Sequence, residues 1–66
     1  MALTINGQPR TLAAPLKVGS LVKELGLAGK RIAVERNGEI VPRSEFHAIE
    51  LDDGDALEIV VAVGGG

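Results

Sequence analysis

Residues 56–66 read Ala-Leu-Glu-Ile-Val-Val-Ala-Val-Gly-Gly-Gly, and this stretch decides the fold. Its first eight residues are rich in β-branched side chains, which is typical of a β-strand. Residues 57, 59, 61 and 63 would share one face of that strand, and residues 56, 58, 60 and 62 the other. Because no other segment is so continuously apolar, we expect this strand to be central in a sheet and parallel to the first strand.

The start of the chain predicts a hairpin. Apolar residues alternate along residues 2–6, and Asn6-Gly7 is typical of a two-residue type I′ turn, in which both central residues need positive φ. The return strand is expected over residues 10–14. Its flanking prolines, Pro9 and Pro15, place it at the edge of the sheet, because proline has no N–H to donate.

The next segment predicts an amphipathic helix. Val18, Leu21, Val22 and Leu25 follow the spacing i, i+3, i+4, i+7 and would form one apolar stripe. Gly26 is well placed to end the helix. The residues before the stripe are weak N-caps, so the start of the helix is not marked.

Two further strands follow the helix. Residues 31–36 alternate, Asn37-Gly38 is a second turn, and residues 39–41 form a short strand that Pro42 ends. Residues 44–46 would make one helical or 3₁₀ turn capped by its serine, with its phenylalanine closing the end of the core. The order hairpin, helix and strands is that of an α+β β-grasp, or ubiquitin-like, fold. It consists of a mixed sheet of about four to five strands on one main helix.

The size and composition of the chain restrict its function. The 66 residues carry a net charge of −2, one aromatic side chain and no cysteine. They form one domain, expected over residues 1–63, with a flexible glycine tail at 64–66. A domain of this size is too small to contain both a core and an enclosed active site. We therefore expect a carrier, modifier or binding module and not an enzyme.

Neither a basic stripe nor an apolar run of about 20 residues is present, which argues against nucleic-acid binding and a membrane span. No signal peptide is visible, so we expect a cytoplasmic protein. The sequence has no metal-ligand cluster, and we expect neither a metal nor a bound cofactor.

The carboxylate of Gly66 is the best candidate for covalent chemistry. It would need activation, for instance as a mixed anhydride with AMP, inside the nucleotide site of another protein. Gly64 and Gly65 lack a Cβ and would let the tail thread into a narrow channel. Because the glycines follow the last strand directly, we expect them to be a natural C-terminus and not a linker remnant.

Several polar residues could be taken for functional sites. The acidic segment 52–55 lacks the downstream glutamate of a calcium loop and is expected to be a solvated turn. His47 has no nucleophile beside it in sequence. Arg43 is expected to pair with Glu39 or Glu45 and to have no catalytic role.

Val60 and Ala62 are candidates for partner docking. They would project from the sheet face opposite the helix, where an apolar patch can receive an activating enzyme. The alternative is that they are isolated exposed apolar residues, which are common and need no explanation.

The chain resembles the ThiS-type sulfur carriers of thiamin biosynthesis over essentially its whole length. The resemblance rests on a set of segments taken together: Ile5-Asn6-Gly7, the stripe of the helix, residues 33–43 with Asn-Gly-Glu-Ile-Val-Pro-Arg, Asp53-Gly54-Asp55, and residues 58–66. The related MoaD-type carriers share the fold and the tail but usually run longer and lack the Val-Pro-Arg stretch. Lys17 and Arg36 depart from the family pattern, as a weak helix cap and as a charge where many members are apolar.

The resemblance implies a mechanism. A ThiF-type, E1-like enzyme would use ATP to adenylate Gly66, and a persulfide on a donor protein would convert the adenylate into a thiocarboxylate. A ThiG-type thiazole synthase would then take the sulfur, so that the chain is a co-substrate with no catalytic residues. A MoaD-like carrier for another pathway, a ubiquitin-like modifier joined to lysines, and a binding module with an inert tail are the alternatives.

Overall fold

The computed structural model describes residues 1–62, which form a five-stranded mixed sheet and one α-helix. The elements in chain order are β1 (Ala2–Ile5), β2 (Gln8–Thr11), α1 (Val18–Glu24), β3 (Ile32–Arg36), β4 (Glu39–Val41), a 3₁₀ turn (Arg43–Glu45) and β5 (Ala56–Val61). The strands lie in the order β2-β1-β5-β3-β4. β5 is parallel to β1 and antiparallel to β3, so the predicted α+β sheet with a central last strand is confirmed.

The core lies between α1 and one face of the sheet. Residues from the helix, from four of the strands and from the connecting loops contribute to it. The buried apolar side chains are those of Leu3, Ile5, Leu16, Val18, Leu21, Val22, Val34, Val41, Leu51, Leu57 and Ile59. This pattern confirms the alternation predicted for the strands and the apolar stripe predicted for the helix.

The first hairpin turns at Asn6-Gly7, with positive φ at both residues as predicted. The return strand is β2, however, and the prediction of residues 10–14 was wrong, because a two-residue turn lets pairing resume at once with Gln8 opposite Ile5. Pro9 lies inside β2, opposite Thr4, in a pair that exchanges no hydrogen bonds. Its missing N–H would point away from the sheet, which the edge position allows.

The start of α1 is capped by a loop and not by a side chain. Lys17 is the N-cap residue and makes no side-chain hydrogen bond to the helix. Instead, Val18 N–H donates to the carbonyl oxygen of Ile49 at 3.0 Å, and Gly19 N–H donates to that of Phe46 at 2.8 Å. These backbone carbonyls satisfy two of the N–H groups that a helix leaves unpaired. A weak cap at Lys17 therefore does not leave the start of the helix open.

The other end of α1 and the second hairpin follow the sequence closely. Gly26 has a φ of 73°, as expected for the glycine that ends a helix. Asn37 and Gly38 also have positive φ and join β3 to β4. The short helical turn begins one residue earlier than predicted, at Arg43. Its N-cap is Pro42, so the predicted capping by Ser44 was wrong.

β5 ends at Val61, two residues before the predicted limit. Ala62 follows it and still donates its backbone N–H to the carbonyl oxygen of Arg31 at 2.9 Å. Leu57 and Ile59 are buried, whereas Val61 on the same face is 39% exposed because the core no longer covers the end of the strand. Residues 63–66 lie outside the described part of the chain, and so does the predicted division between the domain and its glycine tail.

The acidic turn before β5 is organised by a buried carboxylate. Asp55 is 6% exposed, whereas we expected residues 52–55 to be a solvated turn. Its carboxylate accepts hydrogen bonds from the backbone N–H of Asp52 at 2.8 Å, from Arg36 Nε at 2.8 Å and from Asn37 Nδ2 at 3.0 Å. Arg36, which departs from the family pattern, is therefore the cation that pairs with this buried carboxylate.

Two opposing effects set the pKa of Asp55. Burial disfavours the charged carboxylate, but the hydrogen bonds from Asp52, Asn37 and Arg36, together with the positive charge of Arg36, outweigh it. The net result is a pKa below the ordinary value. The ionised form of Asp55 therefore stabilises the fold at neutral pH.

We predict that Asp55→Asn lowers the free energy of unfolding by about 2 kcal/mol near neutral pH, because charge-assisted hydrogen bonds are lost. The folded-state pKa lies below the unfolded value of about 4. Asp55 therefore stabilises the fold above that value, and this contribution is lost as the pH falls through the folded pKa. Urea unfolding near neutral pH and at about pH 3 should show that the variant has lost this part of the acid dependence.

Asp52→Asn is the matched control. The Asp52 side chain is 80% exposed and contacts Arg36 at 3.0 Å from the solvent side. An exposed ion pair of this kind contributes less than about 1 kcal/mol. Equal losses of stability in the two variants would contradict the assignment of Asp55 as the buried anchor.

Candidate functional site: the central strand and the outer sheet face

The sheet face turned away from α1, here called the outer face, carries the predicted docking residues. Val60 is 63% exposed and Ala62 is exposed. Val60 stands opposite Ala33 of β3, which is also exposed. Ile40 on the edge strand β4 is 66% exposed and adds a larger apolar side chain. The structure therefore brings small and β-branched apolar side chains together on this face.

Acidic side chains border these apolar residues. Glu35 of β3 stands opposite both Ile40 of β4 and Glu58 of β5, so the two glutamates are neighbours on the outer face. Like charges placed opposite each other in a sheet destabilise it slightly. A partner that brings cations to this row would relieve that repulsion. The outer face thus combines an apolar patch with an acidic border.

Two asparagine side chains hold β5 at different points along its length. Asn37 Oδ1 accepts from Ala56 N–H at 2.9 Å, at the start of the strand. Asn6 Oδ1 accepts from Ile59 N–H at 2.8 Å, and its Nδ2 donates to the carbonyl oxygen of Ile59 at 3.1 Å. Both asparagines have a φ of 52° and begin an Asn-Gly turn. The turns therefore fix the central strand as well as reversing the chain.

The remaining polar candidates have structural positions. Arg43 donates to the carbonyl oxygen of Lys30 at 2.9 Å, so the predicted pairing with Glu39 or Glu45 is not what the structure shows. His47 is exposed. Among residues 1–62, no group of three or more His, Cys, Asp or Glu side chains is arranged to hold a metal ion. Within the same residues, no helix is long and apolar enough to cross a membrane.

A cleft of about 180 Å³ lies on the helix side of the sheet. Phe46 is half-buried there and packs against the core, in the place predicted for it. Val22 and Ile32 also line the cleft, with Lys30 and Arg43 among its polar residues. In the described part of the chain, no buried side-chain nitrogen or oxygen lacks a hydrogen-bond partner. The cleft therefore holds no buried side-chain polar atom that a ligand would have to satisfy, and we take the outer face as the better candidate.

The predicted covalent site lies outside the described residues. Gly66, with Gly64 and Gly65 before it, belongs to the segment 63–66. What the structure describes is the strand that leads to this segment. The last residue with a hydrogen bond to the sheet is Ala62, whose backbone N–H donates to the carbonyl oxygen of Arg31, the residue before β3. The candidate site therefore consists of the outer face and the end of β5.

Sequence reasoning missed the residues that act over long distances. Asn6 and Asn37 were identified only as turn residues, and Asp55 only as part of a solvated turn. No local signal marked these roles, because Asn-Gly is a preferred sequence of the type I′ turn whatever the asparagine side chain contacts.

Comparison with known proteins identifies the family of the chain. Residues 3–66 match the model of the ThiS family. The chain belongs to the ThiS family. The crystal structure of the thiamine biosynthesis protein ThiS from Geobacter metallireducens is 42% identical, with a TM-score of 0.85 over the whole of both chains. The ThiS assignment made from the sequence, and the β-grasp fold that it implies, are confirmed.

Two curated relatives add context to the ThiS family match. The sulfur carrier protein ThiS of Bacillus subtilis strain 168 is 43% identical over 49 residues, which are 74% of each chain. A thiazole synthase of Paramagnetospirillum magneticum strain AMB-1 is 48% identical over all 66 residues, which are 20% of that protein. The chain thus spans about a fifth of the length of this relative. The described domain is therefore a ThiS-type carrier domain, as the sequence predicts.

Proposed function

We propose that this chain carries sulfur as a thiocarboxylate on Gly66 for the thiazole ring of thiamin. The observation that carries the proposal is that the ThiS family match extends through residue 66 and so includes all three glycines. The position of β5 supports it further. The central strand of the sheet, paired with β1 on one side and β3 on the other, is the one that leads directly to the glycines.

The first proposed step is activation of the carboxylate. An oxygen of the Gly66 carboxylate attacks the α-phosphate of ATP in a ThiF-type, E1-like enzyme, which gives an acyl adenylate and releases pyrophosphate. Gly64 and Gly65 suit this step because residues without a Cβ fit a narrow nucleotide site. ATP is bound and used by the partner enzyme. We propose no bound cofactor for the chain itself and place the activity in the cytoplasm.

The second proposed step brings in sulfur. The terminal sulfur of a persulfide on a donor protein attacks the acyl carbon, and AMP leaves with the bonding electrons. A thiol then cleaves the remaining S–S bond, which forms a disulfide on the donor side and leaves the thiocarboxylate on Gly66. Because these 66 residues contain no cysteine, both the persulfide and the thiol come from partners.

The proposed acceptor is a thiazole synthase. A thiocarboxylate is a soft nucleophile that is ionised at neutral pH, so it can transfer its sulfur to a carbon electrophile of the growing ring. The match of the whole chain to a fifth of a protein named thiazole synthase supports an association between the two. The ThiS family match favours this acceptor over molybdopterin precursors or protein lysines.

We further propose that the activating enzyme docks on the outer face. Val60 and Ala62 lie in or beside the strand that leads to Gly66, and Ala33 extends the apolar surface sideways. An enzyme that takes the tail into its nucleotide site must approach this end of β5. The acidic row of Glu35 and Glu58 would then face cations of the enzyme.

Thiocarboxylate formation is tested by intact-mass spectrometry. The chain is incubated with a ThiF-type enzyme, ATP and a persulfide donor. We expect a mass gain equal to the difference between sulfur and oxygen, because one carboxylate oxygen is replaced. Deletion of Gly66 should abolish the gain, since the enzyme then meets a chain that is one residue too short.

The activating enzyme is first shown to be active on an established ThiS carrier. Under those conditions, a wild-type chain that gains no mass would contradict the proposal. Transfer of the chain to lysines of other proteins would instead favour a ubiquitin-like modifier. If a chain that lacks Gly65 and Gly66 still performs its biological function, the protein would be a binding module with an inert tail.

Docking on the outer face is tested with Val60→Asp. The new charge should raise the KM of the activating enzyme for the chain about tenfold, because a central apolar contact is lost from the interface. The thermal unfolding midpoint should stay close to that of the wild type, since Val60 is 63% exposed. Rates of thiocarboxylation at several carrier concentrations give the KM.

Thr11→Asp is the matched control for this substitution. Thr11 lies on the edge strand β2, opposite Ala2 of β1, and is exposed on the same outer face. Strand β1 separates it from β5. It receives the same charge and should leave the KM unchanged. If Val60→Asp also leaves the KM unchanged, the outer face beside β5 is not the docking surface.

A further inference from the structure

The pairing between β1 and β5 is short. Thr4 is paired with Ala56 and Ile5 with Leu57, and then β1 turns away at Asn6-Gly7. The backbone N–H and carbonyl of Ile59 lie on the same side of β5 as those that meet β1. Without a partner they would face this side unpaired, two residues before the strand ends at Val61. Such unpaired groups let the end of a strand open locally.

The side chain of Asn6 takes the place of the missing strand residue. Its Oδ1 accepts from Ile59 N–H at 2.8 Å, and its Nδ2 donates to the carbonyl oxygen of Ile59 at 3.1 Å. A side-chain amide has the same donor and acceptor groups as a peptide bond, so these bonds reproduce a pair of strand hydrogen bonds. β5 is therefore held on the β1 side at Ile59, while β3 holds its other side through Val61.

We propose that Asn6 is a positioning residue for the reaction of the tail. This inference rests on the proposed function, in which Gly66 is activated by a partner enzyme. By fixing Ile59, Asn6 keeps the end of β5 in register, so that Val60 and the chain leading to Gly66 are presented together. Without Asn6 the enzyme must order the end of the strand as it binds, and this ordering weakens binding.

Asn37 provides a control built on the same geometry. It also has a φ of 52°, begins an Asn-Gly turn and bonds β5, but at Ala56, at the opposite end of the strand from the tail. It donates its remaining hydrogen bond to Asp55. Losing Asn37 should therefore lower stability without loosening the end of β5 that leads to Gly66.

The test compares Asn6→Gly with Asn37→Gly. Glycine accepts positive φ without strain, so both turns are kept while both side-chain amides are removed. Thiocarboxylation kinetics are measured with a ThiF-type enzyme under conditions in which denaturant curves show both variants to be folded. We expect Asn6→Gly to raise the KM about tenfold with a kcat near that of the wild type, the pattern of lost binding. Asn37→Gly should keep the wild-type KM.

Hydrogen exchange supplies a second readout. Asn6→Gly should speed exchange of the Ile59 amide more than it speeds exchange of the buried Val34 amide on β3, because the opening is local. Asn6→Asp should act in the same direction, since it keeps the acceptor but sets a carboxylate oxygen against the Ile59 carbonyl. Asn37→Gly should leave the exchange ratio of these two amides unchanged.

The outcomes separate this inference from the proposed function. If the wild-type chain is thiocarboxylated and Asn6→Gly shows the wild-type KM, the positioning role is overturned and the proposed function stands. Equal increases of KM in the two glycine variants would also overturn it, because the effect would then be a general loss of stability. If the wild-type chain is not thiocarboxylated by an active enzyme, the proposed function fails and the inference fails with it.

Discussion

The fold depends on the pairing of β5 along both of its edges. This strand has β1 on one side and β3 on the other, and it supplies Leu57 and Ile59 to the core. A buried strand cannot leave its N–H and carbonyl groups unpaired without a cost of about 1–3 kcal/mol for each. Because β1 ends early, the Asn6 side chain extends the pairing on that side to Ile59. The hairpin turn is thereby part of the central sheet.

One face of β5 stabilises the core, and the other face displays the candidate docking residues. Side chains alternate along a strand, so each inward residue that anchors the core fixes the direction of its outward neighbour. Ile59 is buried, and Val60 therefore points away from the helix and is exposed. A slip of one residue in the pairing of β5 would exchange the two faces and lose both the core contacts and the apolar patch. The register that stabilises the domain is thus also the register that displays its candidate docking surface.

Local patterns in the sequence predicted the strands and the helix, but they did not predict the contacts between distant residues. Alternation and helical spacing place the strands, the helix and the outward direction of Val60, because these depend on neighbours in sequence. The Arg36–Asp55 pair and the loop that caps α1 join residues about 20 to 30 positions apart, and no local period encodes them. The Asn6–Ile59 contact joins residues 53 positions apart. The sequence could show Asn6 as a turn residue but could not show which strand its side chain would meet.

The small size of the domain explains why we place the proposed chemistry on the glycine tail and on partner proteins. A core of eleven buried apolar residues in the described chain leaves no interior space in which catalytic groups could be shielded from water. Its charged anchor, Asp55, is fully engaged in holding the turn before β5. A carrier needs only a domain that partners can recognise and a reactive group that they can reach. In the proposed function, β5 would meet the first need as a strand paired on both sides, and glycines without a Cβ would meet the second by leaving the approach to a partner site unhindered.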